Sequence, residues 1–218
     1  MVFGKKKILE YIKDGKLVFT PAVDAFQIQP NSVDLRIGWT FYVSESAQYG
    51  EAGRVAVEPD YLTKGFNKEY VKMIKLKSGQ YFELLPGELV LVSSLEKVEF
   101  KAGDFMGILH PRSSMVRRGF VIQGGVVDVK WSGHLVIPVL NSTAHALKLY
   151  PGERAYQLVF HTMVEEISDG DALQHGVASA KYASATPYNL EARTDSDDEL
   201  EFIKRGDIDG LKKKFGVI

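Results

Sequence analysis

The sequence predicts a mostly β fold, a distorted jelly roll or barrel, with a short helix before it and a helical tail after it. Three observations carry this. Short runs rich in Val, Ile, Leu, Phe and Tyr recur between Gly, Pro, Asn and Ser through most of the chain, the pattern of many strands joined by tight turns. The first residues instead carry a helical period, and the last thirty sort their charges as capped helices do.

In KKKILEYIKD at 5–14, Ile8, Leu9, Tyr11 and Ile12 fall on one helical face, and Gly15 stops the helix. Residues 33–37, 40–43, 81–84, 88–92, 105–109, 135–140 and 155–161 read as strands. The stretch 52–80 is mixed and yields no register. From about Val164 the β pattern fades, and 167–187, rich in Ser, Ala, Gly and Asp, reads as loop. The acidic run DSDDELE at 195–201 opens a helix through Arg205. Asp207 caps another over 208–215, which ends in Lys212, Lys213 and Lys214 as the helix dipole favours. The organisation expected is one domain over 1–188, with a candidate lid at 175–188, and a tail over 189–218.

Composition narrows the function. With 218 residues the chain can bury a sizeable core. A net charge of -1 gives no positive field for a nucleic-acid polymer. No apolar run approaches the ~20 residues that span a bilayer, and the basic N-terminus lacks the apolar stretch of a signal peptide, so a cytoplasmic protein without a membrane partner is expected. The absence of cysteine excludes disulfides, thiolate zinc sites, cysteine nucleophiles and the zinc deaminase signature with its Cys-x-x-Cys pair.

Residues 110–160 hold the chemistry. Arg112-Ser113-Ser114 follows a strand and a proline. A guanidinium fork with two hydroxyls suits phosphate oxygens, although three such residues also make an ordinary surface turn. Gly124-Gly125 between apolar runs signals a hairpin turn, or a place where backbone approaches a flat ligand closely. Asp128 precedes Lys130-Trp131-Ser132-Gly133. Alone it reads as a turn aspartate, and Trp131 alone as a core residue.

In combination, PRSS at 111–114, GGVVDVKWSG at 124–133, a strand ending in Asn141 and PGERAYQL at 151–158 resemble the dUTPase and dCTP deaminase superfamily in order and spacing. PNSVDLRIG at 30–38 and LPGELVLV at 85–92 extend the resemblance, which covers roughly 5–187. It implies the superfamily's β fold and a homotrimer with sites built between subunits.

The two branches act on different atoms. In the first, the motif aspartate, here Asp128, activates water against the α-phosphorus of dUTP, giving dUMP and pyrophosphate. In the second, a glutamate three before the strand-end asparagine serves attack at C4 of cytosine, and Pro138 occupies that position. Proline carries no proton to shuttle. The 16-residue step from Arg112 to Asp128 also resembles the first branch, whereas Arg117, the N-terminal helix and Lys181-Tyr182 resemble the second. The expected activity is therefore dUTP hydrolysis. The alternatives are a dCTP deaminase, with one or both activities, and a nucleotide-binding homologue without catalysis.

In the expected site Asp128 and Arg112 are catalytic. Ser113, Ser114 and Gln157 hold the triphosphate, with Arg117, Lys181 and Tyr182 as further substrate contacts. Uracil enters beside Gly124, Gly125 and Val127, and Trp131 packs on the sugar. Mg²⁺ bridges phosphate oxygens and Asp34 supports it through water, or else Asp34 forms an ion pair with Arg36 or a neighbour.

Overall fold

The structure, a computed structural model, describes residues 1–45, 47–51, 53–57, 71–175, 178–179 and 196–216. Helix α1 (Lys5–Lys13) matches the helical period at the N-terminus. Ile8 and Tyr11 are buried, while Leu9 turns outward, so the face is narrower than the sequence implies. Tyr11 packs edge-on against Phe3 and Phe105 and donates to Asp104 at 2.6 Å. Burial and that carboxylate push its phenol pKa up.

The strands are β1 (Leu17–Thr20), β2 (Val33–Ser44), β3 (Ala47–Gly50), β4 (Gly53–Ala56), β5 (Val71–Lys75), β6 (Phe82–Leu84), β7 (Leu89–Phe100), β8 (Phe105–Pro111), β9 (Phe120–Ile122), β10 (Gly125–Val127), β11 (Ser132–Asn141), β12 (Leu147–Leu149), β13 (Arg154–Thr162), β14 (Gln174–His175) and β15 (Ala178–Ser179). Helix α2 (Ser113–Arg117) follows β8 and α3 (Asp169–Ala172) follows β13. The main sheet runs β10-β8-β13-β2-β7-β11-β9, with β1 added on β7 and β5 on β2, and it curls into a half-barrel. The pairs β6–β12, β3–β4 and β14–β15 stand apart from it.

Alternate residues of these strands fill the barrel: Val33, Leu35, Ile37 and Phe41 of β2, Val90, Val92 and Val98 of β7, Ile137 and Val139 of β11, Leu158 and Phe160 of β13. Each contributes about 1.5–3 kcal/mol by leaving water.

The runs at 33–37 and 40–43 prove to be one strand. The intervening Gly38 marks a close crossing, since a Cβ there would meet Ser93 Oγ at 2.5 Å and the Ser94 carbonyl at 2.7 Å. Strand β7 likewise runs past the apolar pattern through Ser93, Ser94 and Glu96, all buried. Two of its three partner strands shift register here, β2 between Ile37 and Phe41 and β11 between His134 and Val136. The buried polar groups are satisfied: Ser94 Oγ donates to the Glu96 carbonyl at 2.7 Å and accepts from the Leu135 amide at 3.0 Å. Glu96 accepts from Gln27 Nε2 at 2.7 Å and the Arg36 amide at 3.0 Å. Burial raises the Glu96 carboxyl pKa.

The tail helices form as their charges predict. In α4 (Asp197–Arg205) Ser196 caps the first turn, three acidic residues follow, and Gly206 closes the end at φ 67°. Asp207 caps α5 (Ile208–Phe215), and Lys214 reaches back to Asp198 at 2.8 Å.

Candidate active site

Three adjacent strands, β8, β13 and β2, bring the phosphate-type residues together. In register, Gln157 lies between His110 of β8 and Asp34 of β2. Arg112 follows β8 at the N-cap position of α2, its amide donating to the Ala155 carbonyl at 2.9 Å. Its guanidinium is held from two sides: Nε lies 3.0 Å from Asp34 Oδ2, and Nη1 donates to the Arg154 carbonyl at 2.9 Å. Ser113 and Ser114 are exposed in the first turn of α2 and Arg117 is exposed in its last. The far end of α2 is fixed by Arg118, which pairs with Glu153, donates to the Lys148 carbonyl at 3.0 Å and lies over Phe120.

Asp34 is fully buried. Burial pushes its carboxyl pKa up, with Arg112, Gln157, Arg154 and Arg36 pulling it down. Its Oδ2 is shared by Arg112 and by Arg154 Nη1 at 3.2 Å. A divalent cation on this carboxylate would face two guanidiniums, and among the described residues no group of three His, Cys, Asp or Glu could hold a metal ion. The surroundings of Asp34 therefore do not fit a Mg²⁺ ion held by the protein. The ion pair expected as the alternative is present, with Arg112 and Arg154 as partners, while Arg36 pairs with Asp24 at 2.6 Å.

Gly124-Gly125 does not turn a hairpin. Strand β9 pairs with β11 at one edge of the sheet and β10 pairs with β8 at the other, so the two glycines carry the chain between edges. Gly124 passes so close to β8 that a Cβ would meet the Leu109 carbonyl at 1.9 Å, whereas Gly125 stands in open space. The close approach in the structure is of Gly124 to the backbone of β8, and Gly125 has no neighbour within 4 Å of its ideal Cβ.

Asp128 lies away from Arg112 within the chain. Val127, buried, pairs with Gly107 near the start of β8, and Arg112 follows its other end. Gly107 and Arg112 are five residue steps apart, about 17 Å at the usual rise. Asp128 is exposed, and its carbonyl accepts from the Trp131 amide at 3.3 Å. Trp131 is half-buried against the core, its indole N–H 3.4 Å from the Gly133 carbonyl. Between them Lys130 holds φ 62° and pairs with Asp169 at 2.7 Å. Two clusters thus sit at opposite ends of β8: Arg112, Ser113, Ser114, Gln157 and Asp34 at one, Asp128, Val127 and Trp131 at the other. Lys181, Tyr182 and all of the candidate lid except His175, Ala178 and Ser179 lie outside the described residues.

Pro138 sits inside β11, opposite Leu91. Its carbonyl accepts from the Gln123 amide at 3.2 Å, just past the end of β9, so the missing N–H falls where that ladder stops. The bulge in β11 falls at His134/Val136, away from the proline. Sequence reasoning missed Arg154 and the Arg118–Glu153 pair. The signal for Arg154 was a cation opening a strand just after the Pro151-Gly152-Glu153 turn, three residues before Gln157.

The curled β sheet, with an anchored arginine beside a two-serine helix start, is consistent with the dUTPase and dCTP deaminase superfamily that the sequence motifs resemble. Comparison with known proteins narrows the class. Residues 2–163 match the family model described as dCTP deaminase-like. The chain is 30% identical over 208 residues to a Dictyoglomus thermophilum protein named dCTP deaminase, dUMP-forming, covering 94% of this chain and 98% of that one. It is 34% identical over 161 residues to a dCTP deaminase of Pseudoalteromonas translucida, covering 72% and 80%. The crystal structure of 2'-deoxycytidine 5'-triphosphate deaminase from Agrobacterium tumefaciens superposes with TM-score 0.56 at 20% identity, over 73% of this chain and 48% of that one, and shows the same fold. The chain belongs to the dCTP deaminase-like family.

This corrects the activity expected from the sequence. Relatives matched along almost their whole length are named dCTP deaminases, so dUTP hydrolysis does not stand as the main reading. That expectation weighed one loop length and one proline above the N-terminal helix and Arg117, whereas the whole of residues 2–163 matches the dCTP deaminase-like model. Among the described residues no helix is long and apolar enough to cross a membrane.

Proposed function

We propose that this chain acts on dCTP as a deaminase of the dUMP-forming kind. The observation that carries the reading is similarity to such proteins over 94% of the chain, joined to an arginine whose guanidinium is fixed beside two exposed serines. Conversion of dCTP to dUMP consumes two waters: one displaces the amine at C4 as ammonia, the other displaces pyrophosphate from the α-phosphorus. Arg112, Ser113, Ser114 and Gln157 hold the phosphates, and Mg²⁺ arrives with the nucleotide as their counter-ion.

The water-activating carboxylate in this reading is Asp128, which stands at the motif aspartate's position, and Pro138 offers no proton. Asp128 stands about 17 Å of strand from Arg112 in one chain. A complete site therefore takes Asp128 from a neighbouring copy, which supports a homotrimer. Pro138 favours a second reading, a homologue that binds nucleotide without turnover.

Incubation with dCTP and with dUTP, followed by chromatography, tests both. Loss of dCTP with formation of dUMP supports deamination. Binding of dCTP with no product supports the second reading, and no binding of either nucleotide contradicts both.

A further inference from the structure

We propose that Arg154 is a second phosphate-binding guanidinium, and that buried Asp34 is the positioning residue that clamps Arg154 and Arg112 side by side. The inference rests on the nucleotide reading above and extends its phosphate site.

An isolated buried carboxylate needs one cation to compensate it. Asp34 has two, both on the same oxygen: Arg112 Nε at 3.0 Å and Arg154 Nη1 at 3.2 Å. The triad carries one positive charge in excess. The arginines are further locked to each other and to the neighbouring turn, since Arg112 Nη1 donates to the Arg154 carbonyl and Arg154 Nη1 to the Phe26 carbonyl. Phe26 is exposed and lies under the Arg154 guanidinium, 5.9 Å from centroid to Cζ. Asp34 is 1% exposed, whereas the two arginine side chains are 25% and 27% exposed, so the carboxylate lies beneath and the guanidiniums reach the surface.

Among the described residues these contacts take Nε and Nη1 of Arg112 and Nη1 of Arg154, leaving Nη2 of both for a ligand. Two guanidiniums held side by side, each with Nη2 left over and with a surplus positive charge between them, match a ligand with several adjacent phosphates better than a single phosphate. A lone structural ion pair would require neither the second arginine nor its exposure.

The test is calorimetric binding of dCTP, dCMP and inorganic tripolyphosphate to the wild-type protein, R154A and R154K, with thermal melts to confirm folding. R154A is expected to weaken dCTP and tripolyphosphate about tenfold or more and dCMP less than twofold. R154K, which keeps the charge and loses the fork, is expected to fall between, and it carries the test should R154A not fold. D34N, with both arginines intact but unclamped, is expected to follow R154A. Equal weakening of dCTP and dCMP, or no weakening of either polyphosphate, overturns the inference. If wild-type protein binds tripolyphosphate but not dCTP, the nucleotide reading fails while the Arg154 comparison still decides the inference. Binding of neither polyphosphate overturns both.

Discussion

Replacing Gly124 by alanine perturbs the structure at one atom with a defined consequence. The added Cβ would sit 1.9 Å from the Leu109 carbonyl oxygen and 3.0 Å from its carbon. Ordinary contact is about 3.5 Å, and the obstacle is backbone of a central strand rather than a mobile side chain. Relief requires β10 to move off β8. That strand is held by the register Gly125–Leu109, Val126–Ile108 and Val127–Gly107 and by burial of Val127. Loss of two ladder hydrogen bonds at ~0.5–1 kcal/mol each, with partial exposure of one valine at ~1.5 kcal/mol, sums to about 3 kcal/mol. Gly125 is the internal control: it is adjacent, has nothing within 4 Å of its ideal Cβ and lies on the same short strand. Urea unfolding at fixed protein concentration, followed by tryptophan fluorescence, should show Gly124→Ala less stable by about 2–3 kcal/mol. Gly125→Ala should stay within ~0.5 kcal/mol of wild type. Equal stability of the two variants would refute the close approach of residue 124 to β8.

Two further outcomes rest on buried polar groups. Asn141 donates to the Leu84 and His145 carbonyls at 2.9 Å and accepts from the Thr143 amide and hydroxyl, so Asn141→Ala should cost about 3 kcal/mol in the same unfolding assay. A cost under ~1 kcal/mol would mean that the β6–β12 side does not depend on it. Glu96 has a folded pKa raised above its ordinary value of 4.5 by burial, so its stabilising contribution is complete below that value and is lost as pH rises through the folded pKa. The stability of wild type relative to Glu96→Gln should therefore fall as pH rises above 4.5, and a difference independent of pH would contradict the burial argument.

Local signals carried much of the fold. The N-terminal helix, the apolar runs and the capped tail helices were legible because periodicity, caps and dipole-matched charges act within a few residues. Pairing was not legible. Phe120–Ile122 and Gly125–Val127 are separated by two residues yet lie at opposite edges of one sheet, a choice made by long-range partners. The extent of β7 was hidden because Ser93, Ser94 and Glu96 break the apolar pattern and are buried through partners distant in sequence, Gln27, Arg36 and Leu135.

The site divided in the same way. Arg112, Ser113, Ser114 and Gln157 converge as their motifs imply, because adjacent strands deliver them. The role of Asp34 depended on Arg154, which stands 120 residues later. The activity was misjudged because it rested on residues 112–138, whereas similarity to the deaminases extends over 94% of the chain.

Ammonia release is the most direct test of dCTP as substrate, since it reports the C4 step alone and is independent of the chemistry at the phosphates. Purified protein with Mg²⁺ and dCTP, coupled to an ammonia-consuming dehydrogenase, should release one ammonia per dCTP lost, with dUMP as the nucleotide product. Intact dCTP under conditions where the nucleotide is bound, with no ammonia formed, would contradict the account and leave a nucleotide-binding protein in which Pro138 has closed the deamination route.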